Sequence, residues 1–338
     1  MTEIRIRGIA CELPCTRVDN AELVRQFGTW TEDKIYQKTG IRERRVATTE
    51  LVSDLATGAC ERLFADSPSF DRNEIDMLLL CTETPDYYMP ATACLVHRRL
   101  GLRPDSGALD YNLGCSGFIY GLALAKSLVF SGVARNVLLV TADTLSKAVN
   151  PMDKSTRTIF GDAAAAILVG TGESGGAIGG FVLGTDGSGA EKLLIPAGGF
   201  AIPRSAETAV ERTNMWGNVR SQDNLYMNGP EILDFTVRTV PGCVRGVLER
   251  HAMTMEDVDL FVFHQATRLI LDHLRKEMEI PEERFYVCME QTGNTVSSTI
   301  PIALAEAVRE GRVRPGSRIM LVGFGVGFSW GATILTWN

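Results

Sequence analysis

The chain has 338 residues, 45% of them apolar, with a formal net charge of −7 and a pI near 5.3. That length exceeds what one hydrophobic core usually organises, so two domains or two fused halves are expected, and the acidic balance without a long basic run argues against nucleic acid as a partner. The eight cysteines form no C-x-x-C pair and the four histidines no H-x-x-x-H or H-E-x-x-H spacing, so neither a disulfide framework nor a metal site is expected.

Met1-Thr2-Glu3-Ile4-Arg5 carries no signal-peptide core, and no run reaches the roughly 18 apolar residues of a membrane helix. The expectation is a cytoplasmic protein with no membrane partner. Strand-like runs at 77–81, 108–112, 136–141, 260–264 and 318–322 alternate with helical stretches, the pattern of an α/β protein with mainly parallel strands. Between the second run and a helical stretch at 118–130 stands Asn112-Leu113-Gly114-Cys115-Ser116-Gly117. A strand-to-helix turn bounded by glycines bends sharply and presents its side chain at a helix N-terminus, where unpaired N–H groups stabilise a thiolate and can hold an oxyanion. Cys115 is therefore the candidate nucleophile, although a cysteine taken alone is more often a small buried hydrophobe. Further along, the glycine-rich stretch 170–180 reads as a linker, giving halves of 1–174 and 175–338. An irregular stretch at 196–229 reads equally as pocket wall or surface excursion, and a helix opens at about Pro230.

Two blocks repeat. Residues 74–81 parallel 257–264, and the Cys115 turn with its helix and following strand parallels the Asn294 turn with its own, at nearly one offset of roughly 180 residues. An ancient duplication is the reading. If the halves pack by pseudo-twofold symmetry, equivalent turns meet at the centre and bring Cys115, His264 and Asn294 to one site.

Those three lie in Asn112-Leu113-Gly114-Cys115-Ser116-Gly117, Phe263-His264-Gln265-Ala266 and Gly293-Asn294-Thr295-Val296-Ser297-Ser298-Thr299-Ile300-Pro301. Together they resemble the Cys-His-Asn set of the β-ketoacyl-acyl-carrier-protein synthase III family, within the thiolase-like superfamily. Lys38-Thr39-Gly40-Ile41-Arg42-Glu43-Arg44, Ile159-Phe160-Gly161-Asp162, Met227-Asn228-Gly229 and Gly323-Phe324-Gly325-Val326-Gly327 match in the same order. The resemblance implies a thiolase-like five-layer αβαβα fold built from two duplicated halves. It also implies an acyltransferase of fatty acid or polyketide metabolism that condenses an acyl group with malonyl-acyl-carrier protein, with loss of CO₂, through an acyl-cysteine. Cysteine both attacks a thioester and leaves one well, and loss of CO₂ creates enolate charge that calls for hydrogen-bond donors. Those would be His264 and Asn294, and the oxyanion of the tetrahedral intermediate would meet the amides of Cys115 and Val326.

For substrates the resemblance implies coenzyme A and phosphopantetheine-carrier thioesters, with no separate cofactor, and a homodimer that partners acyl carrier protein. Lys34, Lys38 and Lys154 stand where relatives clasp coenzyme A with an aromatic residue and arginines, and they read equally as solvated lysines. Met89 stands where relatives reach across the dimer to close the acyl pocket, whose walls Phe160 and Phe324 would line. Arg268, Arg275 and Lys276 would offer positive charge to an acidic carrier or form a solvated helix face. Glu83 falls at a place comparable to the glutamate base of hydroxymethylglutaryl-coenzyme A synthases, which condense without decarboxylation; an exposed loop glutamate is the plainer reading. Two alternatives stay open at this point: an acyltransferase to an alcohol or amine, and a non-catalytic partner subunit.

Overall fold

The computed structural model describes residues 3–338, so Met1 and Thr2 of the N-terminal stretch lie outside the described residues. The first half runs β1 (Ile4–Glu12), β2 (Arg17–Asp19), α1 (Asn20–Phe27), α2 (Glu32–Thr39), β3 (Glu43–Arg45), α3 (Val52–Asp66), β4 (Met77–Cys81), α4 (Thr92–Leu100), β5 (Gly107–Tyr111), α5 (Gly117–Phe130), β6 (Asn136–Asp143), α6 (Lys154–Arg157) and β7 (Ala163–Thr171). The second runs β8 (Gly176–Thr185), β9 (Leu193–Leu194), β10 (Arg212–Thr213), β11 (Val219–Arg220), β12 (Tyr226–Met227), α7 (Gly229–Arg250), β13 (Leu260–Phe263), α8 (Arg268–Glu277), β14 (Phe285–Tyr286), α9 (Thr299–Arg309), β15 (Arg318–Gly325) and β16 (Ser329–Trp337).

Among the described residues the main sheet has ten strands in the order β14-β13-β15-β16-β8-β1-β7-β6-β4-β5. Its centre is thin, for β1 meets β8 through the pairs Arg5↔Ala177 and Ile6↔Gly176. On either side the same five-strand pattern repeats. β4 lies parallel to β5 and β6, with β7 antiparallel to β6 and β1, and β13 lies parallel to β14 and β15, with β16 antiparallel to β15 and β8.

Strand alternation sorts the core into layers. Leu79 and Leu139 turn inward to a core shared with Phe118, Ile119 and Leu122 of α5, Ile300 and Leu304 of α9, and Val262 and Leu321 of the other half. Their neighbours Leu78, Leu80, Leu138 and Val140 turn outward against α3 and α4. Phe261, Phe263 and Val322 likewise turn outward against α7 and α8. The result is five layers, helix, sheet, helix, sheet, helix. Strands covered on both faces need no polar side, which is why β6 and β7 read as almost uninterrupted apolar runs. Helix α5, enclosed between two sheets, is apolar around most of its circumference for the same reason.

The glycine-rich stretch 170–180 is not an extended linker. β7 continues to Thr171 and β8 starts at Gly176, leaving 172–175 as a tight turn whose Gly175 adopts φ 94° beside the Ile6 carbonyl. Glycines here serve a sharp reversal and flat strand pairing rather than flexibility. The 196–229 stretch, read as irregular, carries a β10–β11 hairpin and a β12 strand paired to β9, and it is anchored to the segment before α6 by the Arg220–Asp153 ion pair. No helix of the described residues is long and apolar enough to cross a membrane.

Candidate active site

The turn between β5 and α5 carries Cys115, and its bend is closed by Gly117 N–H donating to the Gly114 carbonyl at 2.7 Å. Ser116 and Ser329 hydroxyls meet at 2.6 Å, and Ser329 donates to the Val326 carbonyl at 2.7 Å. Those two bonds tie the Cys115 turn to the loop joining β15 and β16, in the other half of the chain. The backbone N–H groups of Val326 and of Cys115 itself lie close enough to the Cys115 sulfur to favour its ionised form.

His264 follows the last residue of β13, and its N–H donates to the Val322 carbonyl at 2.8 Å. Its ring stands edge-on to Phe324, with centroids 5.5 Å apart, and its Nδ1 lies 2.7 Å from Thr299 Oγ1. Burial pushes its pKa down to about 3, so the ring is neutral at physiological pH.

Asn294 is held from both backbone sides: its N–H donates to the Ile159 carbonyl at 2.9 Å and its carbonyl accepts from Gly161 at 3.0 Å. Its Oδ1 accepts from the Val296 N–H at 2.9 Å. The carboxamide oxygen is thereby occupied, and the Nδ2 donors have no partner among the described residues. Val296 takes φ 55°, an outlier for a β-branched residue. Strain of this kind persists where the surroundings over-determine the backbone, and here Val296 N–H orients Asn294 while its carbonyl lies 3.2 Å from Thr299 Oγ1.

Cys115, His264 and Asn294 line one cavity of about 530 Å³. Its walls are largely apolar, with Leu193, Met227, Ile232 and Ile270 among them; Leu193 comes from β9, just before the 196–229 stretch, and Met227 from β12 within it. A larger polar hollow of about 1070 Å³ lies elsewhere and contains none of the three.

In two respects the site departs from the sequence reading. The helix terminus does not hold Cys115 as a resting thiolate: burial, then the nearby Glu83 and Asp143 carboxyls, raise its pKa and outweigh the two amides. The sulfur rests as a thiol. Glu83 is not an exposed loop residue either. Its carboxyl packs against Gly114, its pKa is pushed up to about 8 by burial and by Asp143, and it does not line the cavity. Asp143 is buried, accepts from Glu83 N–H at 2.8 Å and from the Ser297 hydroxyl, and has its own pKa pushed up to about 7, chiefly by burial.

Residues 109–187 match the family described as 3-oxoacyl-[acyl-carrier-protein] synthase III, and residues 248–337 match the C-terminal region of the same enzyme. A β-ketoacyl-[acyl-carrier-protein] synthase III of Caldanaerobacter subterraneus subsp. tengcongensis is 38% identical over 98% of this chain and 97% of its own. The chain belongs to the β-ketoacyl-acyl-carrier-protein synthase III family. A second synthase III, from Streptomyces coelicolor, is 40% identical over 98% of this chain and 96% of its own. The crystal structure of a 3-oxoacyl-(acyl-carrier-protein) synthase III superposes with a TM-score of 0.96 at 47% identity, covering 99% of this chain and all of the other.

Within the synthase III frame, the substrate residues divide. Phe160, Phe324, Lys38 and Lys154 line the cavity and Lys34 does not. Instead the ammonium groups of Lys34 and Lys38 lie 4.9 and 5.5 Å from the centroid of Trp30, which does line it. Trp30 escaped the sequence reading because it sits four residues before Lys34 and reaches the cavity through the fold of α2. Met89 is 83% exposed and lines no part of this cavity, since the loop after β4 carries Tyr87, Tyr88 and Met89 outward to the surface. Arg268 pairs with Asp272 at 3.2 Å and Arg275 donates to the Ile280 carbonyl at 3.2 Å; both face the polar hollow, and Lys276 is exposed beside them. Among the described residues no cluster of His, Cys, Asp or Glu is arranged to hold a metal ion.

Proposed function

We propose that the protein carries out the decarboxylative condensation of its family with Cys115 as nucleophile and with His264 and Asn294 as donors to the enolate. The convergence of these three side chains on one apolar cavity carries this reading. The Cys115 thiol loses its proton as its sulfur attacks an acyl thioester, and the departing thiol takes one up. Malonyl-carrier then enters, and loss of CO₂ leaves an enolate whose charge the free Asn294 Nδ2–H and a neutral His264 N–H stabilise. The carbanion attacks the acyl-Cys115 carbonyl, the Cys115 and Val326 amides hold the oxyanion, and collapse expels the sulfur, which takes a proton from water to restore the thiol as 3-oxoacyl-carrier leaves.

Glu83 stands behind the turn rather than in the cavity, which disfavours a glutamate base acting on a bound acyl group. A primer carried on coenzyme A fits the mouth, where Trp30 offers a stacking face and Lys34, Lys38 and Lys154 offer positive charge to phosphate. The carrier would dock on Arg268, Arg275 and Lys276. A homodimer of two-half chains, 1–174 and 175–338, would bury the exposed Tyr87, Tyr88 and Met89 and bring Met89 to its neighbour's acyl pocket. The test is a pair of assays on purified protein: intact mass of Cys115 after exposure to acyl-coenzyme A thioesters, and CO₂ release from malonyl-carrier. No covalent acyl-enzyme across a broad donor panel would end the proposal, and acylation without CO₂ release would convert it to a simple acyl transfer.

A further inference from the structure

Thr299 is the first residue of α9, and its hydroxyl has two neighbours: His264 Nδ1 at 2.7 Å and the Val296 carbonyl oxygen at 3.2 Å. It has one hydrogen to give. Hydroxyl-to-oxygen bonds lie mostly between about 2.5 and 3.0 Å, so the Val296 carbonyl at 3.2 Å makes the weaker claim on that hydrogen and His264 Nδ1 at 2.7 Å the stronger. The donor is the hydroxyl and the acceptor is Nδ1. We propose that Thr299 is a positioning residue that fixes His264 as the tautomer bearing its proton on Nε2, the nitrogen with no protein partner among the described residues.

This assignment rests on the role given to His264 above and sharpens it. A neutral imidazole can stabilise an enolate through Nε2 only if that nitrogen carries the hydrogen, and an unanchored ring would spend part of its time as the other tautomer. The same fixed tautomer has a cost for the loading half-reaction: an Nε2 that already bears a proton cannot accept one from the Cys115 thiol. In that step the S–H bond breaks, the new S–C bond forms and the proton passes, through water in the cavity, to the sulfur of the departing thiol, leaving His264 unchanged. The two half-reactions are thus separable, with Thr299 and His264 serving the second.

Thr299 is enclosed beside both catalytic groups, because the strained Val296 between them gives its N–H to Asn294 and turns its carbonyl toward Thr299. One short segment, 294–299, therefore sets the orientation of the carboxamide and the protonation pattern of the imidazole. Valine at 299 keeps the shape and removes the hydroxyl; serine keeps the hydroxyl.

The decisive measurement is ¹⁵N NMR of the unmodified protein, with the His264 ring signals identified by their loss in His264→Ala. The expected result is an unprotonated, pyridine-type Nδ1 and a protonated Nε2; a protonated Nδ1 would overturn the proposal. In Thr299→Val, malonyl-carrier decarboxylation should fall about tenfold in kcat with little change in KM, Cys115 acylation should stay within about twofold, and Thr299→Ser should recover most of the loss. Equal losses in both half-reactions, or none in decarboxylation, would mean that Thr299 merely packs. Should Thr299→Val fail to fold, the tautomer measurement and the serine variant still decide. A wild-type protein that neither acylates nor decarboxylates would instead sink the functional reading itself, leaving the tautomer result untouched.

Discussion

Gly325 faces Cys115 so closely that a Cβ built on it would lie 2.7 Å from the Cys115 Cβ and 2.8 Å from its sulfur. Neither neighbour can move cheaply, since the turn is tied to β16 through Ser116 and Ser329. Gly325→Ala should therefore displace the sulfur from the Val326 amide rather than unfold the chain. Overpacking costs about 1–3 kcal/mol and a misplacement near 1 Å can cost about a hundredfold in rate. Acylation of Cys115 followed by intact mass should slow by that order with a modest fall in Tm; an unchanged acylation rate would remove Gly325 from the site.

Asn294→Asp is expected to separate the two half-reactions. With Oδ1 engaged by Val296 N–H, the function left to the side chain is to donate through Nδ2. Asn294→Asp retains the Val296 bond and replaces the donor by an acceptor, and it sets a negative charge against a developing enolate. Loss of one such donor costs about 10² to 10³ in kcat. CO₂ release from malonyl-carrier should drop by at least that factor while Cys115 acylation persists, and a proportional loss of both would assign Asn294 to the fold instead.

The Cys115 turn and the layered fold were legible because each has a local cause. A strand, two glycines and an apolar helix announce the Cys115 turn within ten residues, and the repeat of 74–81 at 257–264 foreshadows the matching positions of β4 and β13 in the two sheet halves. What stayed hidden depends on distant segments meeting. Glu83 reads as a loop residue because nothing near it in sequence announces Gly114 or Asp143, which create its half-buried setting. Thr299 is lost among Ser297, Ser298 and Thr299 until His264 stands against it, and Trp30 gains meaning only when α2 folds beside the cavity.

Glu83 and Asp143 give stability an unusual pH slope. Both have folded pKa values, about 8 and about 7, above their ordinary values of 4.5 and 3.8. The native state therefore holds more protons than the unfolded state between about pH 4 and 8, so their stabilisation is complete below that window and is lost as pH rises through it. His264, depressed to about 3, has the opposite sign and costs stability as pH falls below 6.5. Glu83→Gln removes one titration and should flatten the decline in Tm between pH 6 and 9. It should also raise Cys115 alkylation at pH 8, where an ionised Glu83 opposes the thiolate. Parallel Tm curves for the two proteins would show that Glu83 does not titrate in this range.

Substitution of Trp30 is expected to distinguish a primer carried on coenzyme A from one carried on a protein. Its ring lines the cavity with Lys38 and Lys154, and both Lys34 and Lys38 lie over it. Coenzyme A brings an adenine that can stack and phosphates that lysines can hold, whereas a phosphopantetheine-carrier thioester brings no base. Stacking of a base on an aromatic side chain is worth about 1–3 kcal/mol, so Trp30→Ala should raise KM for an acyl-coenzyme A donor by about tenfold or more. The KM for malonyl-carrier should hardly move, because that substrate offers nothing for the ring to stack upon. Lys38→Ala should weaken the same donor in a salt-dependent way, since a lone ammonium contributes charge without a face. If Trp30→Ala affects both thioesters alike, the tryptophan shapes the entrance for the pantetheine arm they share, and the primer's carrier must be recognised elsewhere.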